Sequence, residues 1–296
     1  MNEKAIEPSI WRHATVVLLG HGTEENAGSA GAVRLHVRWL REKGRFADVR
    51  EAFWKQAPQV QDVLAELTAP VVFVVPLFMA EGYFAARVIP ESLGLPTPTQ
   101  PSPAWPRIRF GPDRTLVYCA PVGTHPRLME VVLARAEGVV RAHPFPRLPR
   151  PDEISLFLAG HGTERDAQSR RSVEELAQRI AGLGRYACVG AVFLDEEPRI
   201  PACYERAVTR RMVVVPAFMS DGLHTMEDIP VLLGEPARVV KQRLESGQFP
   251  WRNPTERHGR WVWYTPALGS EPALQEIILE RIREATEHLR PERRPS

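Results

Sequence analysis

His161 and His224 are the two residues whose type and setting could together bind a transition metal. His161 stands in Gly160-His161-Gly162-Thr163-Glu164, directly after the apolar run Ile154 to Ala159. His224 stands in Phe218-Met219-Ser220-Asp221-Gly222-Leu223-His224-Thr225-Met226-Glu227-Asp228-Ile229-Pro230, after a second apolar run, Met212 to Ala217. Neutral imidazole is a common ligand of divalent transition ions and takes a proton near neutral pH. Two imidazoles meeting in one crevice could hold such an ion or move protons. The acids Asp195-Glu196-Glu197 follow a third apolar run and could add a carboxylate; a solvated loop is the other reading of these three.

Better-known glycine loops do not fit. A dinucleotide fingerprint needs a third glycine where Glu25 and Arg165 stand. A P-loop needs Gly-Lys-Ser/Thr, and a nucleophile elbow needs Gly-x-Ser-x-Gly; both are absent. A tight turn with an incidental histidine is the bland alternative, but turn geometry explains the glycines better than the histidine.

The motifs occur twice. Residues 16–94 align without a gap on 156–234, with 25 of 79 positions identical, which marks a tandem duplication. Gly20-His21-Gly22-Thr23-Glu24 matches the first motif. Val75-Pro76-Leu77-Phe78-Met79, with Gly82 and Ile89-Pro90, matches Val215-Pro216-Ala217-Phe218-Met219, with Gly222 and Ile229-Pro230. Ala120-Pro121 to Arg135 matches Thr265-Pro266 to Arg281 at an offset of 145 to 146. The halves differ where the chemistry lies. Phe84 stands where His224 would, Val88 where Asp228 would, and Phe53-Trp54-Lys55-Gln56 has no acid to match Asp195.

The elements that must position these residues follow from patterning. Apolar runs at Ala14–Leu19 and Ile154–Ala159, each with one hydroxyl residue at its second position, suit strands buried on both faces of a parallel sheet. Val33, Val37 and Leu40, and Val173, Leu176, Ala177 and Ile180, have helical spacing, with Gly44 and Gly184 just beyond as caps. Further strands fall at 49–54, 71–77 and 115–120, and at 188–194, 212–217 and 260–265, each half closing on a terminal helix. The alternation predicts an α/β fold of two domains, 1–143 and 152–289, each a mostly parallel sheet flanked by helices. Ligands of such sheets bind at strand carboxyl ends, which both motif loops leave. His143 to Pro151, with four prolines in nine residues, reads as an extended linker. Pro96 to Pro106 reads as a surface loop, and the tail after Leu289 as disordered.

Composition narrows the class. With 44% hydrophobic and 25% charged residues the chain is of soluble globular type. A net charge of +2 argues against nucleic acid as a partner, and no apolar run is long enough to span a membrane. The N-terminus shows no secretory pattern, and Cys119, Cys188 and Cys203 have neither disulfide nor metal spacing. A cytoplasmic setting is expected.

Strand, His-Gly-Thr, then Pro-x-Phe-Met-x-x-Gly-x-His-x-x-x-Asp-Ile-Pro resembles the sirohydrochlorin cobalto- and ferrochelatases of the class II chelatase superfamily, over nearly the whole chain. The resemblance implies two fused chelatase-like domains with a cleft between them. It implies metal insertion into a tetrapyrrole for cobalamin or siroheme biosynthesis. His161 and His224 would be the metal pair, with Asp195 as the matching acid and therefore a candidate catalytic group. Two-copy members often carry the working pair in the N-terminal copy; here it falls in the C-terminal one. A divalent ion (Co2+ or Fe2+, with Ni2+ a third that two imidazoles suit) would be substrate, and no permanently bound cofactor is expected. Gly162, Thr163, Met219, Gly222, Phe84 and Arg165 would contact the tetrapyrrole. Met79 and Met226 would add apolar wall, and Arg87, Arg170 and Arg199 carboxylate partners. The duplication is compatible with a monomer. A non-catalytic metal or tetrapyrrole carrier is the alternative, and a zinc hydrolase a further rival.

Overall fold

The computed structural model describes residues 9–23, 27–96, 105–162 and 167–289. The tail from residue 290 and residues 97–104 of the proline-rich stretch lie outside these. The first sheet is built from β1 (Ala14–Gly20), β2 (Asp48–Phe53), β3 (Val71–Pro76), β4 (Arg107–Phe110) and β5 (Thr115–Tyr118), ordered β2-β1-β3-β5-β4. The second repeats it with β6 (Ile154–Gly160), β7 (Cys188–Phe193), β8 (Arg211–Pro216), β9 (Thr255–Arg257) and β10 (Arg260–Tyr264), ordered β7-β6-β8-β10-β9. All neighbours are parallel except β4–β5 and β9–β10. These antiparallel edge strands were not legible as elements, being short and half exposed.

The central strands are the apolar runs, with Thr15 and Ser155 the polar residues of β1 and β6. Every residue of β1, β3 and β6 is buried, whereas the edge strands β2 and β7 are buried only in part. That difference follows from helices covering both faces of a sheet's centre. In both sheets the strand order reverses beside the first strand: β1 lies between β2 and β3, and β6 between β7 and β8. The carboxyl ends of β1 and β3, and of β6 and β8, therefore flank a topological switch point, the place where ligands enter doubly wound sheets. Both motif loops leave those ends.

The helices are α1 (Gly31–Lys43), α2 (Val60–Glu66), α3 (Ile89–Ser92), α4 (Leu128–Ala142), α5 (Ala167–Ala181), α6 (Cys203–Arg206), α7 (Ile229–Leu232), α8 (Ala237–Glu245) and α9 (Leu274–Glu287). The compact units do not coincide with the sequence repeats. One unit is Met1–Val122 with Gln275–Ser296; the other is Gly123–Leu274. Each repeat's terminal helix thus belongs to the other repeat's compact unit. α4 buries Leu128, Val131, Val132, Ala136 and Val140 and lies against β8, β10 and α5. In the first unit, Trp11 donates its indole N–H to Thr286 on α9 at 3.0 Å.

Matching arginines fasten the two helices. Arg135 on α4 donates to the Ala267 carbonyl at 3.0 Å and to the Ser270 hydroxyl at 2.8 Å, and pairs with Glu271 at 3.1 Å. Arg281 on α9 donates to the Pro121 carbonyl at 3.1 Å. Strand register equates Tyr118 with Tyr264, since Val74 and Val214 pair with them. The offset is therefore 146 already at the end of the last strand. The Ala120-Pro121 match to Thr265-Pro266 is one residue out of structural register.

The linker is not a free connector. Trp263 donates its indole N–H to the His143 carbonyl at 2.9 Å, Phe145 packs on Trp261, and Arg147 forks onto Glu153 at 2.6 and 2.9 Å. Cutting the chain within the linker leaves each fragment with a terminal helix whose docking sheet is on the other. The two fragments should aggregate apart and copurify as a one-to-one complex when coexpressed. Two stable, separate halves would contradict the exchange.

Candidate metal centre

Each histidine after a first strand is presented by the glycine behind it. Gly162 has φ +64°, and a β-carbon there would lie 2.8 Å from Cβ of Phe193; Gly22 has φ +70° and is equally crowded, 2.6 Å from Gln56 Cγ. Only glycine meets both demands cheaply. The turn is then stitched to the neighbouring strand: Leu194 and Asp195 donate their N–H groups to the His161 carbonyl at 3.0 and 3.1 Å. This stitching brings Asp195 to the imidazole. His161 Nδ1 lies 3.2 Å from the Gly162 carbonyl and 3.3 Å from Asp195 Oδ2.

His224 is presented by a π-helical turn, His224–Asp228, closed by the Ile229 N–H donating to the His224 carbonyl. In such a turn the Thr225 carbonyl would look five residues on, to Pro230, which has no N–H. The buried Tyr264 hydroxyl donates to that carbonyl instead, at 2.6 Å. The first unit repeats the device: a π turn at Phe84–Val88, Pro90 five residues after Ala85, and the Tyr118 hydroxyl on the Ala85 carbonyl at 3.1 Å. Burial holds both phenols well above their usual range, so they remain donors.

The two imidazoles meet at right angles, centroids 4.8 Å apart, and each is part exposed. His224 Nδ1 lies 2.7 Å from Asp228 Oδ2. The Nδ1 partners of both rings are carbonyl or carboxylate oxygens, which can only accept. Each neutral ring therefore carries its proton on Nδ1 and offers the Nε2 lone pair. Among the described residues no group of three or more His, Cys, Asp or Glu is placed to hold a metal. An ion at this pair would take two imidazole ligands and leave its other positions to water or to a second ligand. Cys119 and Cys203 are buried, and burial raises both thiols, Cys203 to about 12, so they are not competing thiolates.

The three acids separate. Asp195 faces His161; Glu196 is largely buried and pairs with Arg170 at 3.3 Å; Glu197 is exposed and accepts from the Arg199 N–H. Asp228, whose four-residue spacing from His224 is the signal for a shared helix face, is the site residue that sequence reasoning passed over. Asp221 lies behind the loop, accepting the Ala267 N–H at 2.8 Å. Burial raises its carboxyl above the usual range, against that bond, Arg135 and Ser270.

Met219 and Gly222 shape the loop. Gly269 packs so closely on the Met219 carbonyl that a β-carbon there would overlap it, and the Gly222 N–H donates to the Thr225 hydroxyl at 3.0 Å. Met226 is half buried. Thr163 and Arg165 lie outside the described residues. Arg87, Arg170 and Arg199 each already face an acid of their own unit, Glu91, Glu174 with Glu196, and Glu197. In the first unit Phe84 takes the place of the second imidazole, edge-on to His21 at 6.0 Å, and Met79 is half buried nearby in sequence.

A parallel sheet built twice, with a paired-imidazole switch point in the second copy alone, defines a duplicated α/β protein with one candidate metal centre. The CbiX family profile matches residues 15–139 and again 155–285, and the chain belongs to the CbiX family. It is 37% identical over 280 residues to a protein of Halobacterium salinarum named probable sirohydrochlorin cobaltochelatase, covering 91% of each chain. It is 31% identical over 140 residues to the sirohydrochlorin cobaltochelatase of Methanopyrus kandleri, which covers 45% of this chain and 96% of that one, a single repeat's worth. Its fold is similar to that of a Deinococcus radiodurans multi-domain protein with structural similarity to chelatases (TM-score 0.73, 24% identity, 90% of this chain and 54% of that longer one). It is also similar to the sirohydrochlorin chelatase SirB of Bacillus subtilis in complex with cobalt (TM-score 0.58, 15% identity, 93% and 96%).

The π turn gives a direct test. Tyr264→Phe strands the buried Thr225 carbonyl and should cost about 1–3 kcal/mol, read from the denaturant midpoint. An unchanged midpoint would mean that the carbonyl does not depend on the phenol.

Proposed function

We propose that the protein is a sirohydrochlorin chelatase that inserts a divalent ion, Co2+ or Fe2+, into a tetrapyrrole, with the second unit as its metal-handling half. The observation that carries this is the perpendicular His161–His224 pair, each ring held at Nδ1 by an oxygen acceptor. The names of the full-length and single-repeat relatives support the substrate.

The chemistry follows from the two lone pairs. Insertion must strip the ion of water and remove two pyrrole N–H protons, so one dication enters as two protons leave. Two Nε2 ligands and no thiolate hold the ion loosely enough to surrender it. As the ion passes to the macrocycle, the same two lone pairs become free to accept the two protons. Asp195 and Asp228, at the Nδ1 side, stabilise each imidazolium as it forms. Asp195 acts through His161 rather than as a third ligand. Gly162, Met219 and Gly222 are the described residues proposed to meet the tetrapyrrole beside the pair; Thr163 and Arg165 stay with them as expectations from the sequence alone. The reaction needs no resident cofactor. Three free cysteines fit a reducing cytoplasm, and among the described residues no helix is long and apolar enough to cross a membrane. Two repeats in one chain fit a monomer.

The test is anaerobic incubation with sirohydrochlorin and Co2+, Fe2+ or Ni2+, followed by absorbance. Insertion should exceed the spontaneous rate; cobalt binding without that excess would mean a carrier. His161→Ala and His224→Ala should each abolish insertion, with His21→Ala milder, and equal loss at all three would overturn the one-site reading. Asp228→Ala should weaken cobalt binding roughly 10–100-fold by freeing the His224 ring, as loss of an outer-shell partner typically does. An unchanged cobalt titration would remove Asp228 from the centre.

A further inference from the structure

The first unit keeps the frame of the metal centre while inverting its chemistry. The Lys55 N–H donates to the His21 carbonyl at 2.9 Å, as Asp195 does to His161 at 3.1 Å. The Ile89 N–H closes the π turn on Phe84, as Ile229 closes it on His224. The His21 ring is held through Nδ1 to the Gly22 carbonyl at 3.0 Å, in the same manner as His161. On this shared frame the three side chains that complete the centre around His161 are all replaced: Phe84 stands for His224, Val88 for Asp228, and Lys55 for Asp195. Simple decay would remove ligands. Here an anion is also replaced by a cation, and its ammonium sits 5.9 Å from the centroid of the Phe84 ring.

That arrangement disfavours a metal ion and favours something else. A fixed positive charge repels a dication. The second ligand is gone, and the ring in its place offers only an apolar face. Lys55 is exposed, and among the described residues it pairs with no carboxylate. Around it the surface is aromatic: Phe84 is 44% and Tyr83 63% exposed, ring against ring. Exposed aromatic faces beside an exposed ammonium are complementary to a flat ring system with carboxylates on its rim.

We propose that the switch-point pocket of the first unit, His21, Lys55, Tyr83 and Phe84, is a carboxylate-and-ring site that binds the metal-free tetrapyrrole and takes no metal. The identity of the ring rests on the function proposed above. Lys55 anchors a rim carboxylate, Phe84 and Tyr83 supply apolar contact, and the His21 Nε2 is left for a polar edge of the ligand.

The experiment titrates metal-free sirohydrochlorin, with no metal present, against the full chain and its Lys55→Glu, Lys55→Arg and Phe84→Ala variants, reading tetrapyrrole absorbance. Circular dichroism checks that each variant is folded. Lys55→Glu should weaken binding about tenfold, because it turns an attraction into a repulsion, while Lys55→Arg stays within about threefold. Phe84→Ala should weaken binding by several-fold. Cobalt titrated alone should bind at one equivalent in the wild type and in Lys55→Glu alike. Wild-type affinity in Lys55→Glu, or a second cobalt bound by the wild type, would overturn the site. If the wild type binds no tetrapyrrole at all, both this site and the proposed function fail. If Lys55→Glu loses binding but no insertion is seen with any metal, only the chelatase reading fails. If insertion is normal and Lys55→Glu binds normally, only this inference fails.

Discussion

The proposed metal centre depends on which nitrogen of each imidazole is engaged. At His161 and His224 the Nδ1 atoms face oxygens that cannot donate, the Gly162 carbonyl with Asp195 and the Asp228 carboxylate. That choice fixes the tautomer and leaves both Nε2 lone pairs for an ion. Everything beneath serves it. The left-handed glycine turns the first ring outward, the strand-to-loop hydrogen bonds bring Asp195 alongside, and the π turn swings the second ring across the first. The π turn in its turn depends on a tyrosine hydroxyl for the carbonyl that Pro230 leaves without a donor. The proposed transfer of the ion needs this economy, since a third protein ligand or a thiolate would hold the metal back.

Duplication gave the fold two such frames and freed one of them. The backbone of the pocket is the same in both units, down to the matched π turns and tyrosines. The side chains alone decide that one frame presents two imidazoles and two carboxylates and the other a phenyl ring and an ammonium. The exchange of terminal helices makes each compact unit draw on both repeats. α4 brings Arg135 to the segment that holds Asp221, just behind the His224 loop, so a residue of the first repeat buttresses the metal loop of the second.

Much of this was legible from the residues alone. The buried parallel strands are the continuous apolar runs, because a strand covered on both faces cannot alternate. The unequal histidines were visible in the ungapped repeat, and strand-end logic placed them together. Three things were not legible. The antiparallel edge strands are too short and too exposed to carry a pattern. The helix exchange leaves no trace, because an apolar helical stripe does not say which of two similar sheets it covers. Asp228 was seen as a difference between the halves but not as a partner of His224, since that reading needs the helix register of a loop with a proline behind it. The paired tyrosines were equally silent until the π turns exposed the carbonyls they serve.

Cobalt X-ray absorption on the protein loaded with a single equivalent of Co2+ probes the central claim most directly. The account predicts two imidazole ligands, the remaining positions filled by water oxygens, and loss of one imidazole in His224→Ala. Three or more protein ligands, sulfur in the first coordination sphere, or a spectrum indifferent to His224→Ala would contradict it.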